Sequence, residues 1–329
     1  MKKFVFCFLI CFFSVTVCSA EEKTIRFLDE THSLNNKIWD VSAQAFVSSN
    51  DVSQALLQSD IVILGESHDN PRHHELQNWA LTTLLKAKRE PAVSFEMIDQ
   101  EQYEKLDLSK ISSADALFDA LNWEKTGWPN RKLYHALFET VVSANLPIAS
   151  ANLARKTLHK VISQASPPSD EVKQLLDAKP LTETERTSML KELEESHCHM
   201  LPKQHVSGMI TGQRVRDAVM ALSLLKHSHA DPAVLIAGKA HGRLDRGAPA
   251  FVRLRKPEAK IISIGWHEVQ TDRPQPADYR KIWQSETLPF DYVWFTARVD
   301  RPDPCDEIKA FLNKKSKKET QNDSDKKED

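Results

Sequence analysis

Residues 61–68 have the sequence IVILGESH, and residues 233–241 repeat the same phrase as AVLIAGKAH. In each copy an apolar run rich in β-branched residues ends in glycine, which is typical of a buried strand that stops at a sharp turn. Each copy then places a histidine, His68 or His241, just beyond the strand end. Ligands of parallel α/β sheets bind at the carboxyl ends of the strands. The repeat therefore predicts one site assembled from both halves of the chain.

Strand patterns alternate with helical patterns along most of the chain. Further strands are predicted at residues 92–96, 146–150, 261–264 and 292–295. The stretch 163–203 is polar and interrupted by prolines, which predicts a helical insertion. Alternation of this kind favours an α/β fold: a mostly parallel sheet with crossover helices, two G-x-x-H strand ends and the helical insertion.

The first residues have the character of a targeting segment. Residues 1–20 combine a basic start, an apolar stretch and small residues at the end, which predicts a signal peptide and an exported protein. Cleavage after Ala20 is the simpler outcome, and lipidation of Cys18 is the alternative. We expect one domain over residues 21–313. The charged residues 314–329 contain no apolar side chains and are predicted to be disordered.

Charge and cysteine content narrow the function classes. The net charge of −2 gives no indication of a nucleic-acid partner. Beyond the signal peptide only Cys198 and Cys305 remain, and in an oxidising compartment they can form one disulfide. Two cysteines do not make a disulfide framework, so the fold must depend on its hydrophobic core.

Carboxylates accompany both histidines at the predicted strand ends. Glu66 and His68 are two residues apart, so in an extended segment their side chains point to the same side. Glu96 ends the next predicted strand. Carboxylates and imidazoles together bind a divalent metal or carry out acid–base chemistry. We therefore consider Glu66, His68 and His241 as metal ligands, and the same three with Glu96 as catalytic residues of a hydrolase. The alternative is a turn glycine with a capping side chain.

A helix start and an aromatic cluster supply candidates for ligand binding. His73 and His74 follow a predicted N-cap, and free N–H groups at a helix N-terminus suit an anion. Trp123, Trp128 and Tyr134 can form a flat apolar wall, with the Tyr134 phenol as an iron ligand or a hydrogen-bond donor. Core packing is the alternative for these rings, and partial exposure is the alternative for the two histidines.

Three later positions complete the set of candidates. His197 is the better site candidate of the phrase HCH at residues 197–199. Gln213 and Asp217 lie one helical turn apart in an apolar stripe, where Asp217 can orient a histidine of the site or make a purely structural hydrogen bond. Arg243 follows the second strand end, where it can bind carboxylates or pair with Asp245.

Taken together, these motifs resemble the ChaN-like haem-binding uptake family. That family belongs to a superfamily with the Tiki and TraB proteins and the erythromycin esterases. The resemblance covers residues 50–269. It is carried by LGESHDNP at residues 64–71, histidines at 73 and 74, SFEM at 94–97, Trp123 with Pro129 and Tyr134, Ala151-Asn152, His197-Cys198, and the motifs within residues 213–221 and 238–249.

The resemblance implies an exported α/β domain that binds haem, located in the periplasm or at the outer membrane and in some members lipid-anchored. It implies a tyrosine or histidine on the iron, with Tyr134 or Tyr103 as the tyrosine. It further implies a homodimer with stacked haems and exchange with haem-transport components. The predicted haem contacts are His73, His74, Tyr134, His197 and Arg243.

The superfamily also implies a rival function, a metal-dependent esterase or protease that uses the paired G-x-x-H motifs. A third alternative is an interaction domain that has lost the ligand. The resemblance favours a binding protein over an enzyme.

Overall fold

The structure, a computed structural model, describes residues 25–164, 166–228, 231–303, 305–306 and 308–310. The predicted signal peptide and the predicted charged tail lie outside the described residues. Among the helices of the described part, none combines the length and the apolar character that crossing a membrane requires.

Strands and helices alternate as the sequence predicts. The strands are β1 (Phe27–Leu28), β2 (Ile38–Asp40), β3 (Ala45–Val47), β4 (Ile61–Glu66), β5 (Ala92–Asp99), β6 (Ile148–Asn152), β7 (Ala233–Gly238), β8 (Ile261–Glu268), β9 (Tyr292–Thr296) and β10 (Arg298–Val299). The α-helices are α1 (Ser49–Leu57), α2 (Pro71–Lys86), α3 (Gln100–Tyr103), α4 (Ala114–Ala120), α5 (Arg131–Ser143), α6 (Arg155–Gln164), α7 (Asp170–Ala178), α8 (Glu183–Ser196), α9 (Lys203–His227) and α10 (Ala248–Arg255). Short 3₁₀ helices cover Leu108–Lys110, Trp123–Lys125, Lys239–Gly242 and Pro276–Lys281.

Eight strands form one sheet in the order β3-β2-β9-β8-β4-β7-β5-β6. The six strands from β9 to β6 are parallel, whereas β2 and β3 add an antiparallel edge. Strands β1 and β10 form a separate antiparallel pair. The predicted α/β fold with a mostly parallel sheet and crossover helices is therefore confirmed.

Strand β4 lies in the middle of this sheet and is buried on both faces. Val62 and Leu64 pack into the apolar layer that contains α2 and α5. Ile61 and Ile63 pack into the opposite layer, against α9 and α10. Because side chains alternate along a strand, burial on both faces requires an apolar residue at every position. This requirement explains the unbroken run that the sequence shows.

Local sequence signals fix the helices around the sheet edge. Asn70 caps α2 by accepting a hydrogen bond from the N–H of Arg72, and Pro71 occupies the first helical position. Helices α7 and α8 occupy the stretch in which we predicted an insertion, and Thr182 and Glu185 form a capping box at the start of α8.

A disulfide joins the residues just after α8 to the C-terminal part of the chain. It links Cys198 to Cys305 across a Cα–Cα distance of 5.6 Å. The helical insertion is thereby fastened covalently to a segment 107 residues further along.

Candidate functional site

The two G-x-x-H phrases end side by side. Strands β4 and β7 are parallel neighbours in which Glu66 pairs with Gly238. The backbones come so close here that a Cβ on Gly65 would lie 2.8 Å from the Cα of Lys239. Glycine is therefore required for close approach, and both histidines reach the same edge of the sheet, as the repeat predicts.

Glu66 holds three side chains at this edge. Its Oε1 lies 2.6 Å from Nδ1 of His68 and accepts a hydrogen bond of 2.9 Å from the Tyr134 hydroxyl. Its Oε2 lies 3.0 Å from Nδ1 of His74, whose Nε2 donates to the carbonyl oxygen of His68. Burial alone would raise the pKa of Glu66, but the charge of His74 and the hydrogen bonds from both histidines hold it well below its usual range. Glu66 is thus a buried, ionised anchor.

Glu96 is a second buried carboxylate, between the two histidines of the repeat. Its Oε1 accepts a hydrogen bond from the guanidinium of Arg216, and its Oε2 accepts one of 2.7 Å from the N–H of Gly238. Nε2 of His68 lies 3.8 Å from Oε2, and Nε2 of His241 lies 3.5 Å from Oε1. Against the effect of burial, the charges of Arg216, His241 and His68 lower the pKa of Glu96.

Asp217 orients His241 from the long helix α9. Its Oδ1 lies 2.5 Å from Nδ1 of His241, and Nε2 of Gln213 lies 3.1 Å from the same nitrogen. Burial raises the pKa of Asp217. Burial and Arg216 oppose protonation of His241, but Glu96 and Asp217 raise its pKa overall. Two carboxylate–histidine pairs, Glu66–His68 and Asp217–His241, therefore converge on Glu96.

His68 is the accessible imidazole of this network. Its side chain is 31% exposed, whereas those of His74 and His241 are 2% and 5% exposed. Its ring lies edge-on to Trp128 with a centroid distance of 4.9 Å. Burial opposes protonation of His68, but Glu96 and Glu66 raise its pKa. His68 is therefore the histidine of this network that a ligand can reach from solvent, and the indole of Trp128 lies beside it.

His73 has a different environment from its neighbour His74. Its Nδ1 accepts a hydrogen bond of 2.8 Å from the N–H of Ser67, and its Nε2 donates to the hydroxyl of Thr296 over 2.9 Å. Burial, together with the charge of Lys239, holds the pKa of His73 well below its usual range. Both ring nitrogens of this neutral histidine are occupied by the fold itself, so it offers no free atom to a ligand.

Other predicted contacts lie outside the network or inside the core. Tyr134 belongs to the network but is fully buried, and burial and the charge of Glu66 raise its pKa, which disfavours the phenolate that would bind iron. His197 directly follows α8, and its Nδ1 lies 2.8 Å from the carbonyl oxygen of Leu193. Arg243 is buried and paired with Asp245 and Glu192. The structure does not bring His197 or Arg243 to the network.

The predicted divalent-metal site is not supported by the geometry. Within the described ranges, no group of three or more His, Cys, Asp or Glu side chains is arranged to hold a metal ion. The physical reason is that Nδ1 of His68 and Nδ1 of His241 are directed at separate carboxylates. Glu96, which lies between them, is occupied by Arg216 and a backbone N–H. The atoms that could bind a metal are therefore already bonded to other groups of the protein.

Two residues of the site, Arg216 and Lys239, were not predicted from the sequence as site residues. Arg216 neutralises Glu96, and it lies on the same face of α9 as Gln213, three residues earlier. Lys239 donates a hydrogen bond of 2.5 Å from Nζ to the hydroxyl of Ser67. Both Ser67 and Lys239 lie within the repeated phrase, so their positions next to the strand ends were the signal that could have identified them.

A cleft opens beside this network at the carboxyl ends of β5 and β6. Its volume is about 530 Å³, which lies in the range of roughly 300–1,000 Å³ for small-molecule sites. Glu96 and Trp128 both contribute to its wall. Its apolar lining comes from Met97, Leu121, Trp128, Leu153 and Leu158. Its charged lining consists of the cations Lys105, Lys125 and Arg155 and the carboxylates of Glu96, Asp99 and Glu101.

Comparison with known proteins identifies related sequences and folds. The family model described as haem-binding uptake, Tiki superfamily, ChaN, matches residues 52–252. The structure of ChaN of Campylobacter jejuni, which has cofacially bound haem, superposes with a TM-score of 0.62 and 24% sequence identity. The match covers 80% of this chain and 96% of that one, and it shows a shared fold. No curated protein matches the chain in sequence.

Two further solved structures are more distant. The type III effector HopBA1 has a TM-score of 0.40 at 11% identity, covering 74% of this chain and 91% of its own. A mutant of the erythromycin esterase EreC in its open conformation has a TM-score of 0.42 at 10% identity, covering 82% and 83%. Similarity at this level carries no functional argument.

Proposed function

The chain belongs to the ChaN family of haem-binding uptake proteins in the Tiki superfamily, and we propose that it is an exported protein that binds haem for bacterial haem or iron uptake. Family membership supports the ligand class. The site geometry supports the place where the ligand binds, which we assign to the cleft of about 530 Å³ whose wall includes Glu96 and Trp128, both neighbours of His68.

The observation that carries the proposal is the state of His68. Its Nδ1 is bonded to the Glu66 carboxylate, an arrangement that orients an imidazole and increases its basicity when the other nitrogen binds a metal. Its Nε2 makes no hydrogen bond within the described residues, and the carboxylate of Glu96 is 3.8 Å away. A Cβ at residue 238 would lie 3.0 Å from this nitrogen, so Gly238 keeps the space beside it open. His68 is therefore the residue that would bind the haem iron.

The lining of the cleft matches the remaining chemistry of haem. A porphyrin is apolar over both faces and carries two carboxylates at one edge. Trp128 stands against His68 and supplies an apolar wall. Lys105, Lys125 and Arg155, which share the cleft with Asp99 and Glu101, supply cations for the porphyrin carboxylates. When bound, the haem would supply an iron centre whose properties its protein ligand and surroundings adjust.

A haemin titration of the purified protein tests this assignment. We expect a saturable Soret shift at micromolar haemin. In His68→Gln we expect the affinity to fall at least about tenfold, which corresponds to the loss of about 1.4 kcal/mol of binding free energy. Tyr134→Phe should keep the shift, because the buried phenol binds Glu66 rather than iron.

The matched control is His205→Gln, which changes an exposed histidine on α9. It should titrate like the unmodified protein. Absence of a Soret shift in the unmodified protein would contradict haem binding altogether. A shift that persists in His68→Gln and disappears in Tyr134→Phe would contradict the assignment of His68 and restore the tyrosine.

The location and partners are also part of the proposal. Export to the periplasm or outer membrane, with or without lipidation at Cys18, is supported by the sequence of residues 1–20 and by the Cys198–Cys305 disulfide, since disulfides persist in oxidising compartments. We further propose exchange of haem with transport components and a homodimeric arrangement. Detection of the protein in periplasmic or membrane fractions, and its mass in solution with and without haemin, test these points.

Hydrolysis without a metal is a second candidate function. Its support is the convergence of Glu66–His68 and Asp217–His241 on Glu96, because a histidine oriented by a carboxylate can act as a general base toward water. An ester-hydrolysis assay with a p-nitrophenyl ester tests it. Activity that disappears in His241→Gln would favour it, and a rate equal to that of buffer would rule out esterase activity toward this probe.

A further inference from the structure

A small, partly open cavity lies between α8 and α9, and Asp217 is one of its lining residues. Its volume is about 230 Å³. Helix α8 covers it with Met189, Glu192 and Leu193. The floor is formed by α9 and by the loop that follows the second G-x-x-H phrase.

Two buried arginines line the cavity. Arg243 is 2% exposed and Arg246 is 6% exposed. The donors of Arg243 are taken up by Asp245, Glu192 and the carbonyl oxygen of Trp283. Within the described residues Arg246 donates only to Glu192 Oε2, over 2.5 Å, and weakly to the carbonyl oxygen of Glu185 over 3.4 Å. A guanidinium has five N–H donors, so Arg246 retains capacity for a further acceptor.

The carboxylate of Glu192 bridges these two guanidinium groups. Its Oε1 accepts from Arg243 and its Oε2 accepts from Arg246, each over 2.5 Å. Glu192 belongs to α8, whose only buried side chains are Ser188 and Met189 among the residues of that helix. Ion pairs with the two arginines therefore hold the Glu192 carboxylate in place, while the helix that carries it makes few buried contacts. A carboxylate from outside the protein can take the same position between the two guanidinium groups.

We propose that this cavity binds a small carboxylate with a short aliphatic chain, which replaces Glu192 between Arg243 and Arg246. The two arginines provide the paired recognition that carboxylates prefer. Met189, Leu193 and Ala240 provide an apolar end for the chain. The carboxylate of Asp217 also lines the cavity, where it is bonded to His241. Arg243 and Arg246 supply the cationic part of the lining.

Calorimetric titration with hexanoate tests the proposal on the full chain. The variant Glu192→Gln removes the internal competitor while keeping its shape, so it should bind hexanoate at least about tenfold more tightly than the unmodified protein. The double variant Glu192→Gln/Arg246→Gln removes one charge of each sign and leaves no unpaired Glu192. In this double variant the affinity should fall at least about tenfold below that of Glu192→Gln.

Hexan-1-ol serves as the uncharged probe, and thermal unfolding verifies that each variant is folded. No saturable binding of hexanoate to folded Glu192→Gln would overturn the proposal. Equal affinity of Glu192→Gln for hexanoate and hexan-1-ol would also overturn it, because the cavity would then be only apolar. Equal hexanoate affinity in the single and double variants would exclude recognition by Arg246.

Discussion

At the scale of single residues, Glu66 is a buried carboxylate that joins three side chains at the sheet edge. Replacing it by glutamine removes the charge that His68, His74 and Tyr134 face. Breaking a buried ion pair by removing one partner typically costs about 3–5 kcal/mol. We expect Glu66→Gln to lower the free energy of unfolding by about 3 kcal/mol, measured by urea denaturation.

The control for that prediction is Glu75→Gln on α2. Glu75 is exposed and pairs with Arg72 on the helix surface, where an ion pair contributes little. Its denaturation midpoint should match that of the unmodified protein. Equal midpoints for Glu66→Gln and Glu75→Gln would show that the buried network does not stabilise the fold.

Two glycines at the strand ends permit a second prediction at this scale. In Gly238→Ala the new Cβ would lie 3.0 Å from Nε2 of His68, a partly exposed side chain that can move away. We expect haemin affinity to fall while the unfolding free energy changes by less than about 1 kcal/mol. In Gly65→Ala the new Cβ would meet the backbone of Lys239 at 2.8 Å, and we expect a destabilisation of about 1–3 kcal/mol.

Haemin titration and urea denaturation of both variants check this pair. The prediction depends on which neighbour can move. A Gly238→Ala protein that binds haemin as tightly as the unmodified one would show that haemin does not occupy the space beside His68. A stable Gly65→Ala protein would contradict the requirement for close approach of β4 to Lys239.

At the scale of elements, strand β8 carries a buried histidine that stays uncharged in the folded protein. His267 is buried among Trp283, Phe290 and Tyr279, with its ring edge-on to each of them. Its Nε2 has no hydrogen-bond partner in the described part of the chain. Burial, with the charge of Lys239, holds the pKa of His267 well below its usual range. The folded protein therefore keeps this ring neutral where the unfolded chain would protonate it.

The sign of the resulting pH dependence follows from that difference. Below about pH 6.5 the unfolded chain gains a proton at His267 that the folded chain does not, so stability falls by about 1.4 kcal/mol per pH unit. His68, His74 and His241 have raised pKa values, so their stabilising contribution grows as the pH falls toward 6.5 and stays constant below it. His73, whose pKa is lowered, acts in the same direction as His267. Because these other histidines are unchanged in a His267 variant, the comparison isolates His267.

We expect His267→Phe to lose less stability than the unmodified protein between pH 8 and pH 5, by about 2 kcal/mol. The aromatic surroundings accept a phenylalanine ring in place of the imidazole. Urea denaturation at both pH values measures the effect, with the exposed His205→Gln as the control. Identical losses in all three proteins would contradict the neutral state of His267.

The elements that the sequence predicted share a physical property. Strands β4 and β7 are buried on both faces, so their apolar runs follow directly from burial. Strands β1, β2 and β3 contain two or three residues each and were not predicted, because pairing with distant partners such as β9 and β10 determines them. The contact of Arg216 with Glu96 spans 120 residues and likewise depends on how α9 packs against the sheet.

The candidate site, too, could be predicted from the sequence only in part. Glu66, His68, Glu96 and His241 could be placed together because strand ends of a parallel sheet meet at one edge. Which of them is exposed could not be deduced, since exposure depends on how Trp128 and Tyr134 pack around them. The greater exposure of His68, more than the residue types present, favours His68 as the residue that binds the ligand. Tyr134 instead helps to position His68 by bonding to Glu66.

At the scale of the whole molecule, one covalent link fastens the insertion to the C-terminal part. The Cys198–Cys305 disulfide closes a separation of 107 residues, and in the chain-entropy model a loop of this length stabilises the folded state by roughly 4–5 kcal/mol. Helix α8 has little buried surface of its own, so it depends on the disulfide, on the pairs of Glu192 with Arg243 and Arg246, and on polar contacts such as that of Ser188 with Gln284.

Removal of this link therefore tests how the insertion is held. We expect Cys198→Ser/Cys305→Ser to unfold at a lower urea concentration, with a loss of about 3–5 kcal/mol, and to be cleaved by protease within α8 before the rest of the chain. The unmodified protein in dithiothreitol should behave like the double variant, which separates loss of the bond from the serine substitutions. If reducing agent leaves both the midpoint and the cleavage pattern unchanged, the noncovalent contacts of α8, among them the ion pairs of Glu192, hold the helix without the disulfide.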